Sequence, residues 1–163
     1  MRIFRITLIS LAIVLAASCG SSSPKAADPS TTAPSNSTTV PKARVAYLAA
    51  GNALCRTMNA RVAKLTNRGA SAKNEAALTD QAAKILAETL AKLRKLPMPR
   101  GDEAALRAIY AKIDVILADA PKLTAALRAE DQAAGQRIQV KLQQDSKAAN
   151  DVSKAYGLSI CGS

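Results

Sequence analysis

The chain has 163 residues, with 23 lysines and arginines against 12 aspartates and glutamates, for a net charge of +11. It contains no histidine, which excludes Ser-His and Cys-His catalysis, haem ligation by imidazole and the common zinc sites. Aromatic residues make up only 2% of the chain, too few to build the stacking platforms on which single-stranded nucleic acid is held.

Arg2 and Arg5 form a positive N-terminal region, followed by an apolar run from Ile6 to Ala17. That run has the length of a signal-peptide core and falls short of the ~20 residues needed to span a bilayer. Ala16-Ala17-Ser18-Cys19 then resembles the bacterial lipobox, in which the cysteine thiol receives a diacylglyceryl group before cleavage in front of it. Ala16 stands where that pattern prefers Leu, Val or Ile, and cleavage after Ser18 by an ordinary signal peptidase also fits. Both routes export the chain. Lipidation at Cys19 would place it on the outer face of the plasma membrane, and plain cleavage would secrete it. Residues 1–18 are therefore read as a lipoprotein-type signal peptide.

Residues 19–41 hold almost no large apolar side chain and include Pro24, Pro29, Pro34 and Pro41, the composition of a disordered Ser/Thr/Pro tether. Asn36-Ser37-Thr38 matches a glycosylation sequon, a short pattern that also arises by chance.

Residues 42–163 carry four stretches of helical periodicity and predict an all-α, antiparallel up-and-down four-helix bundle. The first, about Lys42 to Thr66, aligns Val45, Leu48, Cys55, Met58, Val62 and Leu65, and Asn67-Arg68-Gly69 stops it. The second begins near Ser71 or Asn74 and aligns Leu78, Ala82, Ile85, Leu86, Thr89, Leu93 and Leu96, before the break at Pro97-Met98-Pro99-Arg100-Gly101. Asp102 is the expected N-cap of the third, which aligns Leu106, Ile109, Tyr110, Ile113, Ile116 and Leu117 and should kink or restart at Pro121 on its way to Ala129. The fourth, about Glu130 to Tyr156, aligns Ala134, Ile138, Leu142, Ala149, Val152 and Tyr156, with Gly157 as a left-handed cap. Tyr47, Tyr110 and Tyr156 fall on apolar stripes and read as core.

With Cys19 taken by lipid, Cys55 and Cys161 remain as an even pair in an exported chain and predict a disulfide; two buried free thiols are the alternative. For the bond to form, Leu158 to Cys161 must climb back along the bundle. Four extended residues reach only ~13–14 Å, so the fourth helix must end above the level of Lys42, or the first must start later. Closing a loop of ~100 residues stabilises by ~4–5 kcal/mol in the chain-entropy model.

Tyr47-Leu48-Ala49-Ala50-Gly51-Asn52-Ala53-Leu54-Cys55 and Tyr156-Gly157-Leu158-Ser159-Ile160-Cys161-Gly162 resemble segments of small secreted or lipid-anchored, alanine-rich helical proteins of actinobacteria. The resemblance spans roughly Ala43 to the C-terminus. It implies a bundle on the outer face of a Gram-positive-type envelope, and nothing catalytic.

No nucleophile, base or metal constellation can be assembled from the remaining residues, and no cofactor is expected. Asp102-Glu103 and Glu130-Asp131 sit at expected helix starts, where negative charge suits the dipole. Asp145 instead falls between Leu142 and Ala149 in the fourth apolar stripe, where a buried carboxylate needs partners. Asn52, Asn59 and Thr89 are the polar groups that would converge with it in an internal polar site; the alternatives are a satisfied network fixing helix register, or a rotated stripe that exposes Asp145. Removing Arg2 and Arg5 leaves 21 basic residues against 12 acids, about +9 for the mature chain, and no acid lies between Pro29 and Asn74. Arg61, Lys64 and Arg68 lie opposite the first apolar stripe and would suit anionic lipid or an acidic cell-wall polymer, or stand as a solvated basic face.

Two functions follow as expectations. One is a non-enzymatic, membrane-anchored bundle presenting a basic surface to a lipid, wall-polymer or protein partner. The other is a binding module holding a small or lipid-like ligand between the helices near Asp145.

Overall fold

The computed structural model describes residues 41–65 and 72–161. The expected signal peptide, Cys19, nearly all of the tether, Arg68 and the Asn67-Arg68-Gly69 stop lie outside the described residues. Four helices follow in order: α1 (Lys42–Ala63), α2 (Ala72–Leu93), α3 (Glu103–Arg128) and α4 (Gln132–Tyr156). They run up and down as antiparallel neighbours, and the chain is the all-α bundle that its periodicity predicts.

The core is a single cluster built from Tyr47 and Cys55 of α1, Leu90 and Leu93 of α2, Leu106, Ile109 and Tyr110 of α3, Tyr156 of α4, and Leu158 beyond it. The buried face of α1 is turned from the expected one. Tyr47, Gly51 and Cys55 are buried, whereas Val45 is 54% exposed. The reason is steric: only the glycine at position 51 lets another chain segment lie directly on the helix. α3 runs unbroken through an exposed Pro121, so no restart occurs there. α4 starts at Gln132, two residues later than expected, because Glu130 takes a left-handed φ of 54° in a tight turn and Asp131 is the cap, accepting from the Ala134 N–H at 3.0 Å.

Side-chain pairs fix the registers. Thr124, buried on α3, donates to Asp80 of α2 at 2.8 Å, and Arg128 closes on the same carboxylate at 2.6 Å. Lys141 of α4 reaches Asp119 of α3 at 2.7 Å.

Contact between helices follows chain order. α1 packs on α2, α2 on α3 and α3 on α4, while the backbones of α1 and α4 nowhere come together. Chain beyond α4 fills part of that side instead. Gly157, at φ 109°, ends α4 with its N–H on the Ser153 and Lys154 carbonyls, and the chain then turns upward. Gly157 sits beside Leu48, so α4 ends well above the level of Lys42, which satisfies the reach condition. Asn52 donates to the Gly157 carbonyl at 3.2 Å and accepts from the Ile160 N–H at 3.0 Å. Asn59 donates to the Ile160 carbonyl at 3.1 Å. Cys161 is bonded to Cys55, with their Cα atoms 5.0 Å apart.

Leu158 is fully buried against Gly51, where an added Cβ would meet its Cδ2 at 2.6 Å. Gly51→Ala should therefore destabilise the domain: overpacking of about 1–3 kcal/mol outweighs a helix-propensity gain of about 1 kcal/mol. Urea unfolding should show a lower midpoint at unchanged slope; a raised midpoint would mean that Leu158 does not rest on Gly51.

Candidate functional site

Where α1 and α4 stand apart, the C-terminal segment lies along α1 from Leu48 to Asn59. Beyond it, towards the end of α1, is an open cleft of about 720 Å³. Met58 and Val62 of α1 form one wall, Leu86 of α2 with Ile116 and Leu117 of α3 the floor, and Leu142 of α4 the opposite wall. Small residues, among them Ala82 and Ala83 of α2, give it depth. No charged side chain lines it; its polar members are Asn59, Thr79 and Ser146. Asn59 also holds the Ile160 carbonyl, so the stapled segment forms the cleft's closed end. The half-buried apolar side chains follow from the missing neighbour: α1 and α4 each carry a stripe meant for a partner that neither supplies to the other.

A second, shallower groove continues from the cleft along α4, sharing Leu142 and Ser146 with it. Its polar lining is Gln139, Gln143, Asn150, Lys147, Asp151 and Lys154.

The expected internal polar site does not form. Asp145 is only partly buried and pairs with Lys141 one turn before it, at 2.7 Å, because the α4 stripe is rotated enough to carry it out of the interior. Asn52 and Asn59 spend their amides on the C-terminal segment, and Thr89 donates to the Ile85 carbonyl within its own helix at 2.8 Å. Among the described residues the buried acid is Asp119, 6% exposed on α3. The ammonium groups of Lys122 and Lys141, at 2.6 and 2.7 Å, hold its carboxyl below the ordinary carboxylate range. Lys122, three residues on along α3, is the partner that sequence spacing could have offered, whereas Lys141 comes from α4. The basic stripe is also partly spent: Arg61 is bound to Glu88 of α2 at 2.7 Å, while Lys64 is exposed. Among the described residues, no group of three or more acidic, cysteine or histidine side chains is placed to hold a metal, and no helix is long and apolar enough to cross a membrane.

At the far end of the bundle from the cleft, the three tyrosines join a polar knot. The hydroxyls of Tyr47 and Tyr110 are hydrogen-bonded to each other, and Tyr110 donates onward to the Leu93 carbonyl at 3.2 Å. Tyr156 donates to Asp102 at 2.8 Å. Asp102 therefore makes no side-chain cap to α3; its carboxylate serves Tyr156 and, at 3.6 Å, Arg44. Arg44 lies over the Tyr156 ring, 4.7 Å from its centroid, and donates to the Tyr156 carbonyl. These contacts close the end of the bundle that carries the stapled segment, leaving the cleft as the accessible interior.

The fold and the cleft thus define a four-helix bundle with one inter-helix side partly filled by its own C-terminal segment. No protein-family model, curated protein or solved structure matches the chain.

Burial raises the Tyr47 and Tyr156 hydroxyl pKa values, reinforced by the hydrogen bonds to Tyr110 and Asp102 respectively. A folded pKa above the unfolded value of ~10 favours the folded state fully below that pH and progressively less above it. Stability should hold through neutral pH and fall as pH rises past about 10, with Tyr47→Phe and Tyr156→Phe each flattening the fall; an unchanged alkaline slope in both variants would contradict the knot.

Proposed function

We propose that the protein is a non-enzymatic envelope protein, anchored through a lipid on Cys19 to the outer face of the plasma membrane, that holds an apolar, lipid-like molecule in the α1–α4 cleft. The observation that carries this reading is the cleft itself: about 720 Å³, lined by apolar side chains from all four helices and by no charge. Ligand sites commonly measure about 300–1,000 Å³ and are lined mainly by apolar groups with a few polar ones. Anchoring rests on the lipobox-like Ala16-Ala17-Ser18-Cys19, and the oxidising compartment it implies agrees with the Cys55–Cys161 bond.

The basic surface supports a secondary role in this reading. Lys64 and Arg56 are exposed and make no ion pair among the described residues, so they remain available to anionic lipid or wall polymer, whereas Arg61 is committed to Glu88. Each such charge near an anionic membrane contributes about 1 kcal/mol.

Ala82 supplies part of the depth of the cleft from α2, and Ala82→Phe would fill it. Monooleoylglycerol should raise the thermal midpoint of the wild-type chain and leave that of a folded Ala82→Phe variant unmoved. Equal stabilisation of both, or of neither, would sink the cleft as the binding site.

A further inference from the structure

Resting on that reading, we infer that the occupant is an uncharged glycolipid, with its acyl chain in the cleft and a hydroxyl-rich sugar headgroup lying along α4. The inference starts from a contrast in charge. The mature chain carries an excess of about nine basic residues, yet the cleft is lined by none. The groove that continues from it is close to neutral as well: Lys147 is bound to Asp151 at 2.6 Å, leaving Lys154 at its far end as the unpaired charge. The cation nearest the shared Ser146 is Lys147, and an anionic headgroup there would have to compete with Asp151 for it.

What a headgroup would meet there is a row of neutral hydrogen-bonding groups. Gln139, Gln143, Ser146 and Asn150 follow one another at helical spacing along the α4 wall, and Ser146 belongs to both cleft and groove. The side chains of these four make no hydrogen bond within the chain among the described residues, in contrast to those of Asn52 and Asn59, which are both engaged. Each amide offers two donors and an acceptor, which matches the paired donor and acceptor character of sugar hydroxyls.

The source is within reach. Between Cys19 and Pro41 the chain has 21 residues, on the order of 60 Å at ~3 Å per residue if extended. α1, of 22 residues, is only about 33 Å long. A domain anchored at Cys19 can therefore bring its cleft, at the end of α1 remote from the tether, down to the bilayer that holds it.

The test uses the full chain with Cys19→Ser, exported so that its disulfide forms, and two probes sharing dioleoylglycerol chains. One probe carries a single glucose and the other is phosphatidylglycerol, each presented in phosphatidylcholine vesicles. The glucosyl lipid should bind about tenfold more tightly, the effect of one or two net hydrogen bonds. Gln143→Ala with Asn150→Ala should bring the two affinities together by weakening the glucosyl lipid alone, with phosphatidylglycerol binding and thermal stability unchanged. Equal binding of both probes, a preference for phosphatidylglycerol, or an undiminished preference in the double variant would overturn the headgroup assignment and leave lipid binding intact. Binding of neither probe would overturn the cleft reading as well.

Discussion

The bond between Cys55 and Cys161 ties the last turn of chain to the middle of the first helix, across 106 residues of sequence. The backbone of α1 approaches only that of α2; Tyr47 and Arg44 tie its start to Tyr110 of α3 and Tyr156 of α4, and the stapled C-terminal segment holds its middle. Gly51 makes room for Leu158, Asn52 and Asn59 satisfy the segment's backbone polar groups, and the disulfide fixes the arrangement. A buried irregular segment is costly unless its N–H and C=O groups find partners. Here two asparagines of one helix provide them. The same wedge keeps α1 from α4, and so creates the open cleft.

The sequence carried the architecture but only part of the site. Helix number and extent follow from apolar periodicity, and the disulfide from cysteine arithmetic. The face of α1 was misread at Val45 because apolar periodicity gives no weight to Gly51, whose lack of a side chain decides what packs there. The apolar neighbours Leu142 and Ala149 leave the burial of Asp145 open in the sequence, and the rotated-stripe alternative is the one that holds: α4 turns it out to Lys141. Asp119 has one partner at a spacing visible in the sequence, Lys122, but its burial and its second partner, Lys141 of α4, depend on an inter-helix register that sequence spacing does not contain. The cleft was equally hidden. It arises from two helices failing to meet, which no single helix's pattern can express.

The distribution of polar groups separates a structural end of the bundle from an accessible one. Around Tyr47, Tyr110, Tyr156, Asp102 and Arg44, every polar group serves another within the chain. Around the cleft, the apolar lining is only half covered and the α4 amides are unengaged. A protein that needed neither region for binding would gain by letting α1 and α4 close, since burying apolar surface stabilises by about 25 cal/mol per Å². The stapled segment instead lies along the middle of α1, on the side where α4 would otherwise pack.

Hydrogen exchange of the backbone amides, before and after reduction, tests the central claim most directly, namely that the C-terminal staple is what holds α1 on the bundle. Loss of the bond should accelerate exchange in the middle and latter part of α1 well beyond the change in α3 and α4, because there α1 keeps only its packing on α2, while Tyr47 and Arg44 still hold its start. Acceleration shared evenly by all four helices, or absent from α1, would contradict it.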